Sequence, residues 1–97
     1  MSRAFVKEDD GEPVRRYSLP ARDDPGFPLA AARALLEGAN AGDSLSAEAA
    51  TGKRWGDPSL VGAVLQLRAE AIDRGDDRDE VLADRFLRAA GVEPPEE

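Results

Sequence analysis

Carboxylates are the residues of this chain whose type and spacing come closest to those of a catalytic or metal-binding site. Six acids lie close together in the C-terminal part: Asp73, Asp76, Asp77, Asp79, Glu80 and Asp84. Carboxylate oxygens are the ligands that Mg²⁺ and Ca²⁺ prefer, but the spacing does not match a calcium loop and arginines lie among the acids. Helix capping, together with ion pairs between residues four positions apart, explains this acidic run without a metal. We therefore predict no metal site and no cofactor.

Other catalytic groups are missing from the sequence. The chain contains no histidine and no cysteine, which removes the commonest general base, the commonest metal ligand and thiolate chemistry. Ser44 and Ser46 have no histidine to activate them. Neighbouring carboxylates such as Asp9 and Asp10 fall in a solvated segment, whereas carboxylate catalysis needs a sheltered pair with separated pKa values. We predict no catalytic residue and no enzyme; the alternative, carboxylate catalysis, requires an enclosed pocket lined by two or more acids.

The segment around the only tryptophan carries the most information about binding. Trp55 follows Lys53 and Arg54, and tryptophan and arginine dominate the energetics of protein interfaces. This pattern predicts that Lys53, Arg54 and Trp55 bind a protein partner. For Trp55 itself we favour a second interpretation, in which the ring packs just ahead of the following helix, near Val61, and stabilises the fold.

The charge balance narrows the class of partner. Thirteen Lys and Arg residues stand against twenty Asp and Glu residues, for a net charge of −7. An acidic chain repels the phosphate backbone, so we predict no direct binding of nucleic acid; a basic protein surface is a better electrostatic partner. The first residues after Met1 lack the apolar stretch of a signal peptide, and no window approaches the roughly 18 apolar residues of a membrane span. We expect a cytoplasmic protein.

Composition and length predict one small all-α domain. The chain has 97 residues, 17 of them alanine, and only five are aromatic, which favours helix over sheet. Residues 1–26 contain three prolines and many charges and are predicted to form an extended or partly disordered arm. Residues 27–91 follow as the helical domain, and residues 92–97 form a solvated tail.

Apolar residues spaced three and four apart predict two short helices in the first half of the domain. The first begins near Pro28, because proline is tolerated in the first turn of a helix, and stops at Gly38. The second covers Leu45–Ala50 and stops at Gly52.

The second half is predicted to be an antiparallel helical hairpin. The third helix begins at the cap Asp57, buries Leu60, Val64, Leu67 and Ala71, and stops at Gly75. The fourth is capped by Asp76 or Asp77, with a capping box over Asp77–Glu80, and buries Leu82, Phe86 and Ala89. The connection has only two or three residues, which is typical of antiparallel neighbours.

The N-terminal segment Ser2-Arg3-Ala4-Phe5-Val6-Lys7-Glu8-Asp9-Asp10 resembles the leader of bacterial Gre-type transcription elongation factors, especially the GreB-like branch. Pro25-Gly26-Phe27, followed by the apolar pattern of 29–36, stands where that family begins its coiled coil. The resemblance implies RNA polymerase as the protein partner. It makes Arg3, Phe5 and Lys7 candidate partner-binding residues.

The rest of the chain departs from that family. Gre-type factors carry a long coiled coil with an acidic, Mg²⁺-holding tip and a second, globular domain, and 97 residues with interrupting glycines do not accommodate both. No catalytic residue is carried over, so the resemblance implies a polymerase-associated regulator without transcript cleavage. The alternative is a generic helical adaptor, or a self-associating interaction module, unrelated to transcription.

Overall fold

The computed structural model describes Tyr17 and residues 19–95, and in this part of the chain every regular element is helical. A short 3-10 turn at Pro58–Leu60 leads directly into the third α-helix. The four α-helices are α1 (Phe27–Asn40), α2 (Ser44–Thr51), α3 (Val61–Asp73) and α4 (Asp77–Ala89). The predicted all-α fold with four helices is confirmed.

Helices α3 and α4 form the predicted C-terminal hairpin. Three residues, 74–76, connect them, and the two helices make the most extensive contact in the fold. The predicted stripe on α3 is correct, because Leu60, Val64, Leu67 and Ala71 are all buried. Burial of this apolar stripe contributes hydrophobic stabilisation to the fold.

The predicted buried row on α4 is partly wrong. Leu82 and Phe86 are buried as expected, but Ala89 is exposed, and Ala83 and Leu87 complete the buried face instead. Residues 82 and 83 are followed four positions later by residues 86 and 87, and this face of α4 packs against α3 and α1. Ala89 lies outside that face.

Helix α1 is the centre of the fold, since it contacts the other three helices. The prediction that Gly38 ends it is wrong, because the helix continues to Asn40. A Cβ atom on Gly38 would stand 2.6 Å from Cβ of Ala47 and 3.3 Å from the Tyr17 hydroxyl. Glycine is needed here for close approach of α1 and α2 rather than as a helix stop.

The C-terminal part of the predicted N-terminal arm contacts the helical core through Tyr17. Its side chain is only 8% exposed and belongs to the main hydrophobic cluster, and Leu19 is partly buried against the same cluster. The other apolar island of the arm, Ala4–Val6, lies outside the described residues.

Local capping starts the two helical segments of the hairpin. Asp57 caps the 3-10 turn as predicted, its carboxylate accepting from the backbone N–H of Ser59. Asp76 caps α4 and accepts from the backbone N–H of Asp79. The predicted capping box is therefore displaced by one residue, and the Asp79 carboxylate accepts from Arg74 rather than returning to the cap.

Within the described residues the longest helix has 14 residues. None of these helices combines the length and apolar character that crossing a membrane requires.

Candidate protein-binding loop

The predicted residues Lys53, Arg54 and Trp55 lie together in the 52–57 loop, which runs from Gly52 to Asp57 and joins α2 to the 3-10 turn. Thr51, the last residue of α2, is completely buried. Its hydroxyl donates to the Ala47 carbonyl at 2.8 Å and accepts from the backbone N–H of Lys53 at 3.1 Å. A buried hydroxyl satisfied in both directions holds the start of the loop in one position.

Trp55 joins this loop to the hydrophobic core. Its backbone N–H donates to Oε2 of Glu48 at 2.8 Å. Its ring packs edge-on against the ring of Phe86, which is fully buried in α4. The stability interpretation placed the ring near Val61, whereas its aromatic partner is Phe86. Trp55 as a whole is only partly buried, so part of the residue meets solvent.

The end of the loop is held against α4. Gly56 has φ of 85°, and a Cβ atom there would stand 2.7 Å from Cβ of Ala89. Only glycine combines this backbone conformation with such a close approach. The backbone N–H of Asp57 donates to the Arg54 carbonyl at 3.0 Å, which closes a turn around Trp55 and Gly56.

Asp57 ends the loop in a hydrogen-bonded, charged form. Its Oδ1 accepts from the Ser59 hydroxyl at 2.7 Å and from the Ser59 backbone N–H at 2.8 Å. These two bonds, the hydroxyl first, lower the pKa of Asp57 below its ordinary value, and nearby Lys53 adds to the effect. The loop is therefore anchored at both ends and at its centre, so binding through it costs little conformational entropy.

Arg22 is a fourth member of this surface that sequence reasoning missed. Its guanidinium lies so close to Gly52 that a Cβ atom there would stand 2.8 Å from Nη1 of Arg22. The same guanidinium lies over the ring of Phe27, 6.0 Å from its centroid. Nothing in the local pattern around Arg22 indicates this position, because the contact spans about thirty residues of sequence.

The cations of this surface have polar neighbours but make no direct ion pair in the described part of the chain. There, none of Arg22, Lys53 and Arg54 forms an ion pair with a carboxylate. Lys53 donates from Nζ to the Ser59 hydroxyl at 3.3 Å, and Arg54 is exposed. Three positive charges and a partly exposed indole therefore share one anchored surface.

Four members of the acidic run pair with arginines: Asp76, Asp79, Glu80 and Asp84. Among the described residues, no group of three or more potential ligands is arranged to hold a metal ion. Asp79 accepts from Nη2 of Arg74 at 2.6 Å. Asp84 and Glu80 approach Arg68, at 2.6 and 3.6 Å. The pairing of Arg68 crosses from α3 to α4, whereas the sequence suggested pairs four residues apart within a helix.

Arg68 is the one cation buried in the described fold, with 6% of its surface exposed. Besides its two carboxylates it donates from Nη2 to the Pro95 carbonyl at 2.9 Å. It therefore links both helices of the hairpin to the segment that follows α4. A buried guanidinium requires such partners, since an unpaired one is strongly destabilising.

The alternative of carboxylate catalysis requires a pocket lined by acids, and a cavity of about 120 Å³ has acids in its lining. It lies between α1, α3 and the start of α4 and is lined by Arg33, Leu36, Glu37, Leu67, Arg74 and Asp79. Two carboxylates are present, but Asp79 is bonded to Arg74 and Glu37 is exposed. The cavity therefore does not enclose a pair of unpaired carboxylates.

No family model matches this chain, and no curated protein or solved structure matches it either. Of the predicted binding residues, Arg3, Phe5 and Lys7 lie outside the described residues, together with the Gre-like leader. The resemblance to Gre-type factors stays a prediction, and the functional argument rests on the 52–57 loop.

Proposed function

We propose that this chain is a small acidic protein-binding regulator that docks on its partner through the 52–57 loop and Arg22. One observation carries the proposal: Arg22, Lys53, Arg54 and a partly exposed Trp55 share a surface held by hydrogen bonds and aromatic packing. Arginine and tryptophan are the residues most enriched among interface hot spots. A surface that is already ordered before binding loses little entropy when a partner arrives.

The resemblance of Ser2–Asp10 to Gre-type leaders supports bacterial RNA polymerase as that partner. In this proposal Arg3, Phe5 and Lys7 make a second contact with the same machine, in the cytoplasm. The regulator lacks transcript-cleavage activity. This is supported by the pairing of the C-terminal carboxylates with Arg68 and Arg74, which leaves no acidic tip for Mg²⁺ in the described residues.

The experiment is direct binding of the full-length protein to purified bacterial RNA polymerase core enzyme by analytical ultracentrifugation. The wild type is expected to cosediment. The variant K53E/R54E is expected to bind at least about tenfold more weakly, because charge reversal opposes the attraction at the interface. The variant R33E/R78E, which makes the same change in net charge on α1 and at the start of α4, is the control for net charge. Absence of cosedimentation with the wild type contradicts the polymerase assignment.

A transcript-cleavage assay on backtracked polymerase complexes tests the second half of the proposal. The full-length protein is expected to leave the cleavage rate at its intrinsic value at saturating concentration. Mg²⁺-dependent acceleration contradicts the proposal, because it would require carboxylates that act on the metal.

A self-associating adaptor is the second candidate, and one observation favours it. Leu45 at the start of α2 is 81% exposed, and Val81 on α4 is 48% exposed. Contiguous exposed apolar patches mark contacts between protein copies, and these two side chains are where such a patch would begin. Multi-angle light scattering tests this: a dimer in the wild type that Leu45→Ser converts to a monomer would favour it, and a monomer at all concentrations would exclude it.

A further inference from the structure

We infer that residues 91–95 form a C-terminal strap that opens and closes as a unit over the buried Arg68. The hairpin then has a closed state, in which the guanidinium is covered, and an open state, in which it meets solvent. This device goes beyond the proposed function, and it does not depend on which partner the protein binds.

The strap begins with a turn at the end of α4. Gly91 has φ of 83°, which is the left-handed conformation that ends many helices. The backbone N–H of Gly91 donates to the Arg88 carbonyl at 3.0 Å, and that of Val92 donates to the Leu87 carbonyl at 2.8 Å. These two bonds turn the chain away from the axis of α4.

Arg68 fastens the far end of the strap. Its Nη2 donates to the Pro95 carbonyl at 2.9 Å, and its Nε donates to Oδ1 of Asp84 at 2.6 Å. Asp84 lies six residues before Ala90 and Pro95 lies five residues after it, yet both bind the same guanidinium. The strap therefore runs back along α4 toward the middle of the hairpin.

Between its two ends the strap is held by few contacts. Val92 is half-buried and packs against the hydrophobic core, whereas Glu93 is exposed. Within the described residues, neither Glu93 nor Pro94 makes a hydrogen bond. Opening of the strap therefore breaks few contacts, whereas unfolding of the helices exposes the whole core. For this reason the strap opens at a lower free energy than the fold as a whole.

The bonds of Arg68 are compatible with an open strap. In the closed state only 6% of the surface of Arg68 is exposed. When the strap leaves, the guanidinium loses the Pro95 carbonyl and meets water, but Asp84 still accepts from its Nε. It does not become the unpaired buried charge that strongly destabilises a fold. A partner that binds only one of the two states would shift the balance between them.

Native-state hydrogen exchange of the full-length protein, followed by nuclear magnetic resonance, tests the strap. The reporters of strap opening are the backbone N–H of Val92 and the Nε–H of Arg68, and the backbone N–H of Phe86 reports global unfolding. We expect the two strap reporters to have similar protection factors, at least about tenfold lower than that of Phe86. Low concentrations of urea should affect them little and Phe86 strongly, because urea dependence scales with the surface exposed.

A core variant separates strap opening from unfolding. Ala31 is fully buried in α1, and Ala31→Gly weakens the helix while leaving the strap unchanged. The protection factor of Phe86 is expected to fall at least about twofold, because glycine in a helix interior destabilises the fold. The protection factors of Val92 and of the Arg68 Nε–H are expected to stay at their wild-type values.

A strap variant makes the opposite change. P94G/P95G keeps the carbonyl that Arg68 binds but gives the detached strap more conformational freedom, which favours the open state. The protection factors of Val92 and of the Arg68 Nε–H are both expected to fall at least about threefold. E93Q is the control in the same segment and is expected to leave both unchanged.

Three results overturn the inference. The first is a urea dependence of Val92 equal to that of Phe86, which would mean that the strap leaves only when the protein unfolds. The second is an Arg68 Nε–H that follows Phe86 in Ala31→Gly, which would mean that the strap does not control access to the guanidinium. The third is unchanged protection of both strap reporters in P94G/P95G.

Discussion

The indole of Trp55 packs edge-on against the ring of Phe86, with centroids 5.0 Å apart and ring planes at 69°. This geometry is favoured for aromatic pairs and contributes about 0.5–1.5 kcal/mol beyond the burial of area. It connects the 52–57 loop to α4, so the candidate binding surface depends on the packing of the hairpin. The packing of Trp55 supports the interpretation that it stabilises the fold, and its role in binding stays a prediction.

Replacement of Phe86 by alanine tests the centre of the core. Phe86 is fully buried, so Phe86→Ala is expected to lower the free energy of unfolding by about 3–5 kcal/mol. Urea denaturation followed by circular dichroism measures it. Val81→Ala is the control on the same helix, because Val81 is 48% exposed, and its expected cost is within about 0.5 kcal/mol. Similar losses for the two variants would mean that Phe86 is not central.

Gly56→Ala tests the attachment of the loop to α4. The substitution adds a Cβ atom at positive φ, 2.7 Å from Cβ of Ala89. Strain and overpacking together are expected to cost about 2–4 kcal/mol. Gly42→Ala is the matched control, because φ is 73° there but nothing lies within 4 Å of the added atom. It should cost only the backbone strain of about 1–2 kcal/mol. Equal costs in thermal denaturation would contradict the close contact.

Asp84→Asn tests the buried arginine. Arg68 Nε and Asp84 Oδ1 are 2.6 Å apart, with 8% and 21% of the side chains exposed. Removal of the charge is expected to cost about 1–3 kcal/mol, because the guanidinium stays buried with weaker compensation. Arg74→Ala breaks an equally short pair with Asp79 whose arginine is 49% exposed, and should cost less than about 1 kcal/mol. A larger loss for Arg74→Ala in urea denaturation would contradict this ranking.

The capping carboxylates predict how stability changes in acid. Hydrogen bonds from Ser59 lower the pKa of Asp57, and the backbone N–H of Asp79, with Arg74, lowers the pKa of Asp76. Because both folded-state pKa values lie below the ordinary value of 3.8, the charged caps stabilise the fold above about pH 3.8. That contribution is lost as the pH falls through the lowered values.

The measurement is Tm as a function of pH for the wild type and for D57N/D76N. Asparagine still accepts the capping hydrogen bond but has no charge to lose. The variant is expected to show a smaller fall in Tm below pH 3.8 than the wild type. Parallel curves would show that other acids determine the acid transition.

The helical hairpin could be predicted from sequence because its signals are local. Asp57 before Pro58, the aspartates before α4, and apolar residues recurring every three or four positions each act within a few turns of one helix. The same local reasoning failed at Gly38, where a contact with Ala47 explains the glycine. It also failed at Ala89, because the direction of α1 and α3 decides which side of α4 is buried.

Only part of the candidate surface could be predicted from the sequence. Lys53, Arg54 and Trp55 are adjacent in the chain, so their composition alone indicated a binding segment. The backbone N–H groups of Lys53 and Trp55 donate to Thr51 and Glu48, and these two bonds depend on where α2 places the accepting side chains. No pattern of residue types encodes that geometry.

The sequence by itself determined the helical class, the hairpin, the acidic charge and the absence of histidine and cysteine, since composition and short-range periodicity suffice for these. Only the tertiary structure decided that Arg22 lies against Gly52, that Phe86 supports Trp55, and that Glu48 accepts from the backbone N–H of Trp55. Each of those facts is a contact between residues that packing brings together. Such contacts depend on the relative placement of whole helices, which local sequence does not specify.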